Sequence, residues 1–183
     1  MRDLQVESTA RRSGIEERQL ELTRFLMGED PLGVVIRAHI HIEHELVEFI
    51  RARCHPPDAI LAVTEGYARR VKLALKLGLP PEFKEALHMI GDLRNRFAHR
   101  PNASIERQDA DRLDAALAPD TKAMIDGAYH ATSAKLSANV ANPPLKQLDP
   151  KDRVVLHLIS LWAGIAVAAA KAKNVDVRHE DMS

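Results

Sequence analysis

Proline punctuation constrains this chain more than any other feature of its sequence. The ten prolines fall at Pro31, Pro56-Pro57, Pro80-Pro81, Pro101, Pro119, Pro143-Pro144 and Pro150. Inside a helix, proline removes a donor and clashes with the turn before it. At the first helical position it does neither, because that N–H has no intrahelical acceptor. Within the intervals, aliphatic residues recur in steps of three and four, the period of one face of a helix. In the interval opened by Pro31 these are Leu32, Val35, Ile36, Ile42, Leu46, Val47 and Ile50.

Helices are predicted over residues 14–27, ended by Gly28; 31–53; 58–77, closed by Gly78; 81–98; 104–117, with Ser104 as N-cap; 119–137; and 150–173, with Asp149 as N-cap. The stretch from Ala138 to Pro150 is the clearest loop, long enough for a crossover or a reach over a neighbouring subunit. A length of 183 residues suits one well-buried domain and is short for two. Forty-five per cent hydrophobic residues with four per cent aromatic favours helices packed through aliphatic side chains. The expected architecture is an all-α, single-domain bundle of about six to seven helices. Residues 1–12 are expected to be a flexible N-terminus, 13–173 the helical domain and 174–183 a flexible tail.

Composition narrows the function. The formal net charge is zero, so the whole molecule is not built to attract nucleic acid. Cys54 is the one cysteine, which rules out an intramolecular disulfide. The first residues lack the apolar core of a signal peptide, and a cytoplasmic location is the expectation. Residues 154–170 are uncharged, at the lower length limit of a bilayer span, but His157, Ser160 and many small residues favour a buried bundle helix and no membrane partner. Neither a Gly-rich phosphate loop, a dinucleotide fingerprint nor a nucleophile elbow occurs, and no cofactor is expected.

Polar chemistry concentrates in Gly91-Asp92-Leu93-Arg94-Asn95-Arg96-Phe97-Ala98-His99-Arg100-Pro101, the end of a predicted helix. Arg94 and His99 lie roughly 140° apart around a regular helix and about 7.5 Å along it. They cannot share one stripe, so a common site needs the helix to end near Ala98 and a second surface to cover the gap. Between Tyr67 and Arg100 there are eight basic residues against three acids. These are either wet faces of two helices or a phosphate-binding surface that includes Arg69, Arg70, Arg96 and Arg100. On the helix opened by Pro31, His39 and Glu43 share the apolar stripe. Glu43 there needs a partner, and is expected either to accept a hydrogen bond from Arg94, to orient His99, or to be an edge-of-core pair serving stability. His39 with Glu43, His41 with Glu45 and His44 with Glu48 have a spacing that can put two ligands on one metal. The three pairs face different directions, and no metal is expected.

Arg94-Asn95 followed by His99, a basic residue and a proline resembles the signature of the HEPN superfamily, in which an Arg precedes a His by a few residues and is often followed by Asn. The upstream run from Tyr67 to Leu79 resembles the mannitol operon repressor branch of that superfamily. The resemblance covers about residues 31–101 and implies a small helical domain. It also implies metal-independent RNA cleavage at the groove of a two-fold homodimer, with Arg94 as phosphate clamp, Asn95 as positioner, His99 as acid or base, and Glu43 and His39 in support. RNA cleavage through the 2'-hydroxyl needs a base, an acid and positive charge, which two copies of these residues would supply. The alternative implied by the same resemblance is a non-catalytic transcriptional regulator or interaction module. Expected partners are a second copy, RNA and a regulatory or antitoxin protein.

Overall fold

A computed structural model describes the backbone of residues 2–136 and 143–180 and the side chains of residues 14–130 and 143–173. Among the described residues there are eight α-helices and no strand: α1 (Arg2–Gly28), α2 (Pro31–Arg51), α3 (Pro57–Val63), α4 (Tyr67–Lys76), α5 (Lys84–His99), α6 (Arg107–Ala116), α7 (Pro119–Leu136) and α8 (Pro150–Glu180). The chain is an all-α helical bundle.

Helix α2 lies at its centre. Asp30 caps it by accepting the Gly33 N–H at 2.7 Å, and Pro31 occupies the first turn. Its buried side carries Val34, Val35, Ala38, Ile42, Leu46, Phe49 and Ile50, packed chiefly against α8 and also against α1, α4 and α5. Burial of each large aliphatic side chain contributes about 1.5–3 kcal/mol. Opposite, α8 supplies Val154, Val155, Leu158, Leu161, Trp162 and Ile165 to the same core. Its stretch Pro150–Lys173 is long and apolar enough to cross a membrane, yet 56% of its apolar 18-residue window is buried inside the bundle.

The polar residues of α8 explain that placement. Arg153, 2% exposed, reaches Asp111 at 2.8 Å, and buried His157 reaches Asp114 at 3.2 Å, so α6 neutralises the base of an otherwise apolar helix. Small residues permit close approach: a Cβ on Gly164 would lie 2.8 Å from the Phe83 ring.

The element limits depart from expectation in several places. Helix α1 begins at Arg2 rather than at residue 14, and α8 continues to Glu180 rather than ending at Lys173, so helix occupies most of both expected flexible ends. The helix predicted over 58–77 is two helices. Gly66 takes φ +86° and ψ 145°, which side-chain-bearing residues rarely adopt, and the Thr64 hydroxyl donates back to the Ile60 carbonyl at 2.7 Å. Gly78, at φ +96°, closes α4 as expected, with the Leu79 N–H donating to the Ala74 carbonyl at 2.9 Å. Residues Pro81–Phe83 form a 3-10 turn ahead of α5. The N-cap of α6 is Glu106, whose N–H donates to Asp109 at 2.8 Å, in place of Ser104. Of the expected 138–150 loop, residues 138–142 lie outside the described residues; the rest includes a 3-10 turn at Leu145–Gln147.

Candidate functional site

The break at Gly66 turns the first residues of α4 toward α5, and the two helices meet through Gly91 and Tyr67. A Cβ on Gly91 would come within 3.1 Å of the Tyr67 ring, so the glycine lets that ring lie against the helix, and the Tyr67 hydroxyl donates to the Leu87 carbonyl at 2.9 Å. Between them and α2 opens a cleft of about 770 Å³. His39 and Glu43 of α2, Arg69 of α4, and Arg94 and Asn95 of α5 line it together.

The polar wall is ordered from α2 outward. His39 is 6% exposed and lies against Tyr67, ring centroids 4.3 Å apart. Burial lowers its pKa; the Glu43 charge works the other way, and Arg94 reinforces the lowering. Glu43 Oε2 is 3.9 Å from His39 Nδ1, while Oε1 accepts from Arg70 at 2.8 Å. Tyr67, buried and near Glu43, has its phenol pushed up. At the rim, Arg94 is exposed and donates to Asn95 Oδ1 at 3.2 Å, with no carboxylate partner among the described residues.

Of the three expected roles for Glu43, serving Arg94, orienting His99 or forming an edge-of-core pair, its contact matches the third: its guanidinium partner is Arg70, because α4 runs beside α2 and presents Arg70 at that height. Arg96 was grouped with the phosphate-binding residues, and its guanidinium is already occupied. It donates to both Asp109 oxygens, at 2.9 and 2.6 Å, and to the Ser104 carbonyl at 2.9 Å. Arg96 lines a different, smaller hollow, of about 150 Å³, between α5 and α6. Arg70, held by Glu43, is likewise less available than exposed Arg69.

His99 closes α5 and is exposed, as is Arg100 after it; neither lines the cleft. Arg94 is on the exposed side of α5. Sequence reasoning missed the cleft's floor. Tyr67 packs against the hydrophobic core and also lines the cleft, and the signal for the second role was the glycine before it. His88, Asp92 and Glu65 also line the cleft and carried no periodic signal. Among the described residues, no three His, Cys, Asp or Glu side chains gather to hold a metal ion. No family model, curated protein or solved structure matches this chain.

Proposed function

We propose that the chain is a metal-independent, cytoplasmic endoribonuclease that works as a two-fold dimer, with Arg94, Asn95 and His99 as its chemical groups. The carrying observation is Arg94: an exposed guanidinium at the rim of a large cleft, beside Asn95 and bound to no carboxylate among the described residues. Such a group is free to take a phosphate. His99 lies exposed on the same helix, at its end, outside the cleft of its own chain. A second copy across a two-fold axis would bring the two imidazoles and two guanidiniums to one strand of RNA.

In that arrangement one His99 imidazole takes the proton of a 2'-hydroxyl, and the oxygen attacks the adjacent phosphorus. The bond from phosphorus to the 5'-oxygen breaks, and the second imidazole protonates the departing oxygen. Arg94 steadies the negative charge of the phosphorane, and Asn95 orients the guanidinium. The products are a 2',3'-cyclic phosphate and a 5'-hydroxyl.

A second reading is a non-catalytic module of the mannitol operon repressor type that holds a regulatory or antitoxin protein. Glu65 and Asp92 favour it, since they place acids in the cleft alongside Arg69 and Arg94. The two are separated by incubating purified protein with mixed cellular RNA in EDTA, beside an Arg94→Ala, His99→Ala double variant of unchanged oligomeric state. Cleavage that the variant loses supports the ribonuclease. Equal cleavage by both, or none even on overexpression in cells, transfers support to the module.

A further inference from the structure

The cleft is too large and too acidic to serve a phosphate alone. It encloses about 770 Å³, the size of sites that take whole small molecules. Three carboxylates line it, Glu43, Glu65 and Asp92, against two guanidiniums, Arg69 and Arg94. A phosphodiester drawn inside would meet more negative charge than positive, whereas Arg94 at the rim can hold it from outside. The neighbouring nucleobase is flat and uncharged, and it is the part of an RNA strand that such walls accept.

The floor of the cleft is made of two rings, with His39 lying against Tyr67 at a centroid distance of 4.3 Å. Tyr67 is fixed there, because its hydroxyl donates to the Leu87 carbonyl at 2.9 Å and its ring rests on Gly91. Single-stranded bases are recognised by stacking on such rings and by hydrogen bonds to their edges. Glu43 supplies the edge contact. Its Oε1 accepts from Arg70 at 2.8 Å, which holds the carboxylate in place. Its Oε2 accepts no hydrogen bond among the described residues, the nearest ring nitrogen, His39 Nδ1, lying 3.9 Å away. The Glu43 side chain is 24% exposed and lines the cleft, so that open oxygen is within reach of a ligand.

A fixed carboxylate discriminates among bases by what stands beside the donor it meets. Guanine presents N1–H and N2–H side by side, both able to donate to it. Adenine and cytosine place a ring-nitrogen lone pair next to their amino group, and uracil flanks its single N–H with two carbonyls, so each of these turns a lone pair toward the carboxylate. Guanine also carries the O6 acceptor beside N1–H. Arg69 and His39, whose imidazole burial keeps neutral near pH 7, supply N–H donors for it.

We propose that the cleft is a guanine pocket, with Glu43 selecting the base and His39 and Tyr67 forming the surface on which it rests. The inference rests on the proposed ribonuclease, whose phosphate clamp Arg94 stands at the rim, and it names the nucleotide that enzyme prefers beside the scissile bond. Guanosine, adenosine, cytidine, uridine and inosine, none of which carries a phosphate, are titrated separately into the full chain while amide and histidine-ring resonances are followed.

Guanosine is expected to give saturable shifts at the His39 ring and the Tyr67 and Gly91 amides, with affinity about tenfold or more above adenosine, cytidine and uridine, as one good edge pair supplies. Inosine, which keeps N1–H and lacks the 2-amino group, is expected to fall between guanosine and adenosine, a test that needs no variant. Glu43→Gln, folded by its amide spectrum, is expected to bring guanosine down to the level of the other bases. No saturable shift, shifts confined to residues outside the cleft, another base bound as tightly as guanosine, or wild-type guanosine affinity in Glu43→Gln overturns the pocket. Guanosine binding by a chain that does not cleave RNA refutes the ribonuclease alone; RNA cleavage with no preference for guanine beside the cut refutes the pocket alone.

Discussion

Arg94 and Arg96 stand two residues apart on α5 and meet opposite fates. Arg96 ties α5 to α6 through a two-pronged contact with Asp109, whose carboxylate also holds the Glu106 N–H. Among the described residues, the Arg94 side chain donates a hydrogen bond to its neighbour Asn95 and to no carboxylate. Asp109→Ala is therefore expected to cost about 2 kcal/mol or more in urea unfolding, because it leaves a half-buried guanidinium unpaired and removes a helix cap. Arg94→Ala, on the exposed side, is expected to stay within about 0.5 kcal/mol of wild type. A loss of stability in Arg94→Ala comparable to that of Asp109→Ala would remove the distinction between a free and a structural arginine. The sequence allowed neither assignment. Helical period does not tell a solvated arginine from a paired one, and the deciding partner lies past a proline-broken turn, on another helix.

At the scale of elements, the acids of α6 illustrate what period alone conceals. Asp109, Asp111 and Asp114 share one short helix, yet they meet basic side chains from two others: Arg96 of α5, and Arg153 and His157 of α8. The helix clamps α5 and α8 together through charge. By contrast, the start of α2 was legible to the residue, because Pro31 fixes it through local chemistry, while its end falls at Arg51, two residues short of the expected one. The division of α3 from α4 was missed because apolar spacing continues past Gly66, whereas its backbone angles do not. Gly66→Ala places a side chain at a positive φ and is expected to cost about 1–3 kcal/mol in thermal or urea unfolding. Because the space around its Cβ is open, the cost comes from backbone strain and the helical content should persist. A neutral Gly66→Ala would show that the turn is not the hinge on which the cleft is formed.

For the whole molecule, buried histidines set the response to acid. His39 and His157 both have lowered pKa values, chiefly through burial; for His157 the hydrogen bond to Asp114 offsets part of it. Between the ordinary value of 6.5 and the lower folded values, the unfolded chain binds more protons than the folded one. Their contribution to stability is thus complete above 6.5 and is lost as pH falls through the folded pKa values. Glu48, lowered first by the Lys173 hydrogen bond, adds a loss in the same direction below 4.5. Melting temperatures are expected to fall from pH 7 to pH 5, and less steeply in His157→Gln; a flat or rising profile would contradict that assignment. The bundle itself was readable from proline spacing and aliphatic period, since both act within one helix. The cleft was not, because it arises where α2, α4 and α5 meet and no single period records such a meeting. The claim on which the functional account stands is that Arg94, Asn95 and His99 cut RNA through its own 2'-hydroxyl. The most direct measurement is the chemistry of the ends left on RNA by purified protein in EDTA. The expected ends are 2',3'-cyclic phosphate and 5'-hydroxyl, and they vanish in the Arg94→Ala, His99→Ala variant; 5'-phosphate ends, or cyclic ends that persist in the variant, would contradict that chemistry.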